Sequence, residues 1–351
     1  MLPGAVHAPA LRGGLIALAA ALLFGLSTPL VQRFGAGLGA FTTAALLYAG
    51  AALASFLMRQ PIGREAALRR SDFPRLLAMA GFGAVLGPVA LTWGLQHTSG
   101  ASASLLLTME AVVTALLAWW LYGETVGWRV VGAMALLLAG GLVLVLEGGL
   151  TGNMQLPGLL AVLAATVAWG VDNTLSRGVA ERDPGHVVMV KSAMGVAATA
   201  LLAWVAKDPL PSLGAAIALM LVGATGYGLS LRCYLLAQRE FGAARTASVF
   251  AFAPFLGAAG ALALGERSGT WLLALAGALM AAGVLLHLLE SHGHAHAHDA
   301  LAHEHAHGHD DGHHVHEHAG AVTGMHSHWH PHAPLAHQHP HVPDAHHRHK
   351  H

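Results

Sequence analysis

Residues 101–122 read ASASLLLTMEAVVTALLAWWLY, a run of apolar and small residues with a single ionisable side chain, Glu110. A helix of about 20 such residues spans the hydrocarbon core of a bilayer, which is about 30 Å thick. Lipid offers no partner for unpaired backbone N–H and C=O groups, so a run of this kind is expected to be helical. The stretch therefore predicts a transmembrane helix.

Nine more stretches of the same character lie between residues 13 and 289. The ten predicted helices cover residues 13–32, 39–58, 74–95, 101–122, 128–147, 156–177, 186–205, 213–236, 242–264 and 269–289. Short connections with glycine, proline and aspartate separate them, for example Asp183-Pro184-Gly185. The sequence therefore predicts an all-α integral membrane protein with ten transmembrane helices.

The composition of the whole chain favours a bilayer as its main partner. Of its 351 residues, 55% are hydrophobic and 10% are charged, whereas a soluble domain has about 25% charged residues. The 18 basic and 18 acidic residues balance, so no basic excess points to nucleic acid. One cysteine, Cys233, cannot form an intramolecular disulfide. This composition argues against a soluble enzyme, a nucleic-acid binder and a disulfide scaffold.

Basic residues are distributed unequally between the two sides of the predicted bundle. If the N-terminus is inside, the cytoplasmic ends and loops hold eleven arginines, and the outer loops hold Arg33, Lys207 and Arg267. Cytoplasmic loops of membrane proteins carry an excess of Lys and Arg. We therefore predict a multi-pass protein of the inner cell membrane, with its N-terminus and, after ten helices, its C-terminus in the cytoplasm.

One sequence pattern occurs twice along the chain. In residues 24–28 and again, about 145 residues later, in residues 169–173, an aromatic-glycine pair precedes small polar side chains. The pairs Gly123-Glu124 and Gly265-Glu266, 142 residues apart, end the fourth and ninth predicted helices. Each copy then has five helices, and an odd number inserts the second copy upside-down.

These patterns predict four parts of the chain. A short N-terminal segment, 1–11, precedes the first repeat at residues 12–147 and the second repeat at residues 156–290. A His-rich tail follows at residues 291–351. Two inverted repeats build a central site near the bilayer midplane that opens alternately to the two sides, as in secondary transporters.

Over about residues 12–290 the chain resembles the EamA-domain transporters of the drug/metabolite transporter superfamily. The resemblance rests on the ten-helix layout, Trp169-Gly170, the two Gly-Glu helix ends and residues 107–112, with Ala253-Pro254 near the matching place in the second copy. Phe24 stands where the family usually has tryptophan, and Ala111 where it often has proline. The resemblance implies a secondary transporter of amino acids, their derivatives or drugs.

Polar residues inside the predicted helices are candidates for a substrate or proton pathway. A charge at the bilayer centre costs about 3 kcal/mol, so Glu110 should face a polar cavity or stay protonated. Asp172 and Asn173 occupy the repeat-equivalent positions of Ser27 and Thr28. The alternative is a purely structural role in interhelical hydrogen bonds, worth about 0.6 kcal/mol each. The candidate residues are Glu110, Asp172, Asn173, Ser27, Thr28, Trp169 and Arg232.

Four further charged residues have simpler interpretations. Arg232 and Lys191 lie about one turn from cytoplasmic helix ends, so we expect both to extend to the interface, as long basic side chains readily do. If either points inward, it would pair with Asp172 or bind an anionic substrate. Glu124 and Glu266 precede helices, where a carboxylate favours the N-terminus. The chain has no Gly-Lys-Ser/Thr phosphate loop, and we expect neither an enzyme nor a required cofactor.

The tail is the second anomaly of the composition, because it holds 23 of the 27 histidines. It has too few apolar residues to form a core, so we expect it to be disordered without a ligand. Alternating imidazoles can converge on zinc, copper or nickel. The candidate ligands are His292, His294, His296, His298, His303, His305, His307, His309, His313, His314, His316, His318, His326, His328 and His330.

Three functions follow from the sequence. The leading hypothesis is a secondary exporter of a small organic metabolite, with a cytoplasmic tail that binds divalent nickel, zinc or cobalt. The second is an exporter of a transition metal, or of a metal-chelating metabolite, with the tail as collector. The third is a membrane-anchored metal sensor or store that transports nothing. The sequence leaves open whether the protein is a monomer or a homodimer.

Overall fold

The structure is a computed structural model that describes most of the helical part of the chain and four segments of the tail. The described residues are 8–59, 65–122, 128–150, 156–179, 182–241, 246, 249–266, 270–288, 293–298, 301–307, 326–332 and 335–340.

The described residues before the tail form ten main helical segments, named α1 to α10. They are α1 Ala8–Phe34, α2 Ala40–Leu57, α3 Arg70–Leu95, α4 100–122, α5 Trp128–Leu150, α6 Leu156–Ser176, α7 Pro184–Ala206, α8 213–241, α9 Ala253–Ala263 and α10 Trp271–Leu288. Within this part the structure has no paired strands, which confirms the prediction of an all-α membrane protein.

Local sequence explains where these helices begin. The short connection between α3 and α4 holds Ser99, whose hydroxyl accepts a hydrogen bond from the Ser102 amide at 3.0 Å. Asp183 acts in the same way before α7, where its carboxylate accepts from the Gly185 amide at 2.8 Å and Pro184 occupies the first turn. Both satisfy amides that have no partner within their own helix.

Eight of the helical segments are long and apolar enough to cross a bilayer. The described parts of the other two, Ala253–Ala263 and Trp271–Leu286, are shorter apolar helices. The chain is therefore a multi-pass membrane protein, and the number of ten crossings stays a prediction.

The contacts between helices follow a twofold pattern. α1 packs against α8 and α9, and its counterpart α6 packs against α3 and α4. Counterparts also pack against each other, namely α2 against α7, α4 against α9, and α5 against α10. A twofold axis that exchanges α1–α5 with α6–α10 accounts for all of these contacts, as expected for inverted repeats.

Two π-helical turns occupy matching places in the repeats and are not predicted by the sequence analysis. Ala80–Leu86 interrupts α3, and Gly223–Leu229 interrupts α8, 143 residues later. Single π turns inside α-helices often lie at functional sites. Both turns pack close to the centre of the bundle: Gly83 lies beside Asp172, and Gly226 beside Ser27.

The described residues of the tail form four short strands, which the sequence does not predict. They are β1 Gly293–His298, β2 Leu301–His307, β3 His326–His332 and β4 Leu335–Pro340. β1 pairs antiparallel with β4, and β2 pairs antiparallel with β3. The alternation of histidine with mostly small residues matches the two-residue period of a strand.

Candidate functional site

A cavity of about 70 Å³ lies between the two repeats. At about 10–15 Å³ for each water molecule, it has room for a few waters or for the polar end of a small ligand. The lining residues come from helices of both repeats: Phe24, Tyr48, Glu110, Trp169, Asp172, Asn173, Lys191, Ser192, Gly226, Tyr227, Ser230, Leu231, Tyr234 and Phe250. Four of the predicted site residues, Glu110, Trp169, Asp172 and Asn173, are among them.

A buried ion pair forms one wall of the cavity. The Lys191 ammonium group on α7 donates a hydrogen bond to the Asp172 carboxylate on α6, and each residue is only 4% exposed. The expectation that Lys191 extends to the interface is therefore wrong. If Lys191 extended to the interface, the Asp172 carboxylate would stay buried without a partner for its charge. Such an unpaired buried charge is very costly, so the pairing is favoured.

One oxygen of this ion pair is left available. Among the described residues, Asp172 Oδ1 is buried and has no hydrogen-bond partner, whereas Oδ2 accepts from Lys191. An unsatisfied buried acceptor costs about 1–3 kcal/mol and calls for an explanation, such as an unfilled ligand position. Asp172 lines the cavity, so a ligand there is within reach of this residue.

A second carboxylate lies on the opposite repeat. Glu110 begins the second half of α4, directly after the 3₁₀ turn Leu107–Met109, and it is half-buried. The Asn173 amide on α6 donates to Glu110 Oε1 at 2.5 Å. Predicted residues of the two repeats are thus in direct contact, and the cavity lining combines two carboxylates with one ammonium group.

A backbone carbonyl of the first π-helical turn joins α2, α3 and α6. The Tyr48 hydroxyl donates to the Gly83 carbonyl oxygen, and the Trp169 indole N–H donates to the same oxygen at 3.1 Å. Gly83 is close to the ion pair, since a Cβ at this position would lie 2.2 Å from Asp172 Oδ2. The turn therefore holds two aromatic side chains of the cavity in place.

Aromatic rings form most of the remaining wall. Phe24 lies at the centre of this group, with its ring centroid 5.8 Å from Trp169, 6.0 Å from Tyr227 and 5.5 Å from Phe250. Phe24 occupies the position in the first repeat that Trp169 occupies in the second, but it has no indole N–H to donate. The contacts with Trp169 and Tyr227 are edge-on, a favourable arrangement of aromatic rings.

Three predicted site residues are not part of the described cavity lining. Ser27 is buried and donates to the Phe24 carbonyl at 2.6 Å, and Thr28 is also buried. The Arg232 guanidinium donates to the Met58 carbonyl at 2.9 Å, beyond the end of α2. Arg232 therefore satisfies a carbonyl at the end of α2, and its extension to the interface stays a prediction.

The other charged candidates have structural positions or lie outside the described residues. Glu266 accepts a hydrogen bond from the Ala101 amide at 3.2 Å and so stabilises the first turn of α4. Glu124 lies outside the described residues. Among the side chains that the structure describes, no group of three or more His, Cys, Asp and Glu could hold a metal ion.

The predicted metal ligands of the tail fall into two groups. Six of them lie outside the described residues: His292, His309, His313, His314, His316 and His318. The other nine lie on the strands: His294, His296 and His298 on β1, His303, His305 and His307 on β2, and His326, His328 and His330 on β3.

Sequence reasoning missed several lining residues, among them Tyr48, Ser192 and Tyr227, and it gave the pairing of Lys191 with Asp172 only as the alternative to an interface position. Lys191 carried a usable signal, because it lies inside an apolar run and the preceding predicted helix contains an aspartate, Asp172. Tyr48 and Tyr227 carried none, since a single tyrosine in an apolar helix is as common at the lipid interface as in a cavity.

Comparison with known proteins agrees with this architecture. Residues 11–146 and 156–289 each match the EamA-like transporter family. An uncharacterized transporter of Methanothermobacter thermautotrophicus is 25% identical over 297 residues, which cover 79% of this chain and 86% of that protein. A protein of known crystal structure is similar in fold, with a TM-score of 0.58 and 21% identity over 79% of this chain and 96% of that one. The chain belongs to the EamA-like transporter family.

Proposed function

We propose that the protein is a secondary active exporter of a small organic metabolite, amino-acid-like or drug-like, that works by alternating access. The observation that carries the proposal is the cavity between the repeats, with Glu110, Asp172 and Lys191 in its lining. Ionisable groups deep in a membrane protein are expensive and usually mark a transport pathway.

The chemistry of the lining supports an organic ligand with polar and apolar parts. Lys191 offers an ammonium group to a carboxylate, while Asp172 Oδ1 and Glu110 offer acceptors to an amine. Phe24, Trp169 and the nearby tyrosines offer flat surfaces to an apolar or aromatic group and can also stabilise a cation over their rings. An amino-acid-like molecule would use all of these groups.

Glu110 is the proposed proton carrier. In the empty site a proton on Glu110 removes the cost of a buried charge. Binding of an amine favours the carboxylate, so the proton leaves to solvent on the side to which the cavity is open. Return of a proton from the other side resets the site, and one proton moves inward for each substrate that moves outward.

Transport in proteoliposomes tests this role. Candidate amino acids and cationic drugs are screened, and transport of any substrate found is measured across a range of pH. We expect Glu110→Gln to abolish the pH dependence, whereas Glu147→Gln should keep it, because Glu147 is a buried carboxyl that bonds Thr270 and is not in the described cavity lining. Unchanged pH dependence in both Glu110→Gln and Asp172→Asn would contradict proton carriage by this site.

The composition of the tail favours a second candidate function. Its 23 histidines could collect transition metal for export, either as the ion or bound to a chelating metabolite. Cells that express the full chain or a truncation after Glu290 would be compared for nickel, zinc and cobalt content. Lower metal content with the full chain only would favour the collector.

The same comparison separates the remaining alternatives. If the truncation transports the organic substrate as well as the full chain does, the tail is a metal store attached to an exporter. If neither chain transports any substrate and only the metal response is lost on truncation, the protein is a membrane-anchored sensor. We propose an inner-membrane location with both termini in the cytoplasm, which a reporter fused to the C-terminus would test.

A further inference from the structure

The register of the tail strands brings histidines of distant sequence segments together. In the β2–β3 pair, His303 lies opposite His330, His305 opposite His328, and His307 opposite His326. In the β1–β4 pair, His294 lies opposite His339 and His296 opposite His337. Five opposed histidine pairs thus occur in two short ladders.

Directly opposed residues of an antiparallel pair lie on the same face of the sheet, about 4.5–5.5 Å apart at Cβ. Positions two residues apart along a strand also share a face. The β2–β3 ladder therefore places three adjacent histidine pairs on one face. Its other face holds different residues, with Glu304 opposite Trp329 and Ala306 opposite Ser327.

We propose that the histidine face of the β2–β3 ladder is a divalent transition-metal site, with the opposed pair as its unit. This inference rests on the proposed metal binding by the tail and adds where the strongest sites are. Two opposed imidazoles bind one ion, and the neighbouring pair supplies further nitrogen ligands. Imidazole ligands without thiolate suit nickel, zinc and copper.

The proposal differs from a flexible collector in one respect: the arrangement of histidines matters as well as their number. Because side chains alternate between faces, moving a histidine by one position transfers it to the opposite face. A flexible chain could adjust to such a change, but a paired strand in fixed register could not.

The tail contains its own matched control. The tetrapeptide His-Glu-His-Ala occurs at residues 303–306 on β2 and again at residues 316–319, which lie outside the described strands. Exchanging neighbours within 303–306 combines His303→Glu, Glu304→His, His305→Ala and Ala306→His. The same exchange at 316–319 combines His316→Glu, Glu317→His, His318→Ala and Ala319→His. Both variants keep the composition of the full chain.

Zn²⁺ and Ni²⁺ binding to the purified full-length proteins would be measured by calorimetry, and Co²⁺ by its visible absorption. We expect the 303–306 exchange to weaken the tightest sites at least about tenfold, since even the loss of a partner outside the ligand shell costs about that much. The Co²⁺ spectrum should change in parallel. The 316–319 exchange should weaken the tightest sites and change the Co²⁺ spectrum clearly less than the 303–306 exchange does.

Equal metal affinities and equal Co²⁺ spectra for the two exchange variants would overturn the proposed metal site on the β2–β3 ladder. A different result would contradict metal binding by the tail as a whole: the full chain would bind no more metal than the truncation after Glu290. Transport of an organic substrate by either exchange variant is a separate readout and should be unchanged.

Discussion

The two repeats share one fold but contribute different chemistry to the cavity between them. In the first repeat, α1 and α2 present Phe24 and Tyr48 to the cavity, and neither side chain is charged at neutral pH. In the second repeat, the counterpart helices α6 and α7 present the ion pair of Asp172 and Lys191. Symmetry of packing therefore coexists with an asymmetry of charge between these counterpart helices, and the first repeat contributes its carboxylate, Glu110, from α4 instead.

The polar contacts of the cavity are of two kinds, those within one repeat and those between the repeats. The Asp172–Lys191 pair lies entirely within the second repeat, so it can stay intact while the repeats move against each other. The bonds from Trp169 to Gly83 and from Asn173 to Glu110 cross between repeats. We infer that alternating access preserves the ion pair and exchanges these crossing bonds.

The largest predicted effect comes from breaking the ion pair. Lys191→Met leaves the Asp172 carboxylate buried without its partner, and such a change typically costs about 3–5 kcal/mol. We expect a large fall in the midpoint of thermal unfolding in detergent and loss of transport. The double variant Asp172→Leu with Lys191→Met should recover stability but not transport. Recovery of transport in the double variant would show that the pair is only structural.

Alanine in place of a closely packed glycine of either π-helical turn should have the next largest effect on stability, and the effect should be similar in the two repeats. A Cβ on Gly83 would lie 2.2 Å from Asp172 Oδ2, and one on Gly226 would lie 2.4 Å from Ser27 Cβ. Overpacking of this kind costs about 1–3 kcal/mol, so Gly83→Ala and Gly226→Ala should both lower the unfolding midpoint.

Gly81→Ala is the control for these two variants, because it lies in the same turn as Gly83 and its Cβ would meet nothing within 4 Å. It should leave the unfolding midpoint almost unchanged. If all three variants behave alike, the close approach of the two turns to α1 and α6 does not matter for stability.

A smaller effect is expected from the cavity wall that α1 and α2 form, which has no charged side chain. Tyr48→Phe removes the hydroxyl that donates to Gly83, while the Trp169 indole still satisfies that oxygen. The loss of one hydrogen bond should lower the free energy of unfolding by about 1 kcal/mol. Thr225→Val, which removes an exposed hydroxyl bonded within its own helix, provides the comparison. If Tyr48→Phe lowered the unfolding midpoint as much as Lys191→Met does, the proposed asymmetry would be contradicted.

Much of the fold follows from sequence because hydropathy and helix caps act locally. Nine of the described segments lie close to the predicted spans, whereas α9, Ala253–Ala263, covers only the second half of the predicted span 242–264. The predicted connection between α3 and α4 holds Ser99, which caps the start of α4. The two π-helical turns were not predictable in this way. They depend on contacts of Gly83 and Gly226 with helices that are distant in the chain.

The site was predictable only in part. The acids Glu110 and Asp172 were found because charge inside a long apolar run is costly wherever it points. The role of Lys191 depends on which face of α7 turns inward, and a helix that is apolar all round does not reveal its faces. The ladder register in the tail depends likewise on pairing between segments far apart in sequence.

Accessibility of the cavity tests the central claim most directly. In a Cys233→Ser background, Ser192→Cys places a single thiol in the cavity lining, and Thr199→Cys places one at a buried position of the same helix outside the described lining. Each variant would be reconstituted and treated with a membrane-impermeant thiol reagent from either side. Alternating access predicts that the Ser192→Cys thiol reacts from both sides, that substrate slows both reactions, and that the Thr199→Cys thiol reacts from neither. Reaction of the Ser192→Cys thiol from one side only, whether or not substrate is present, would contradict the account.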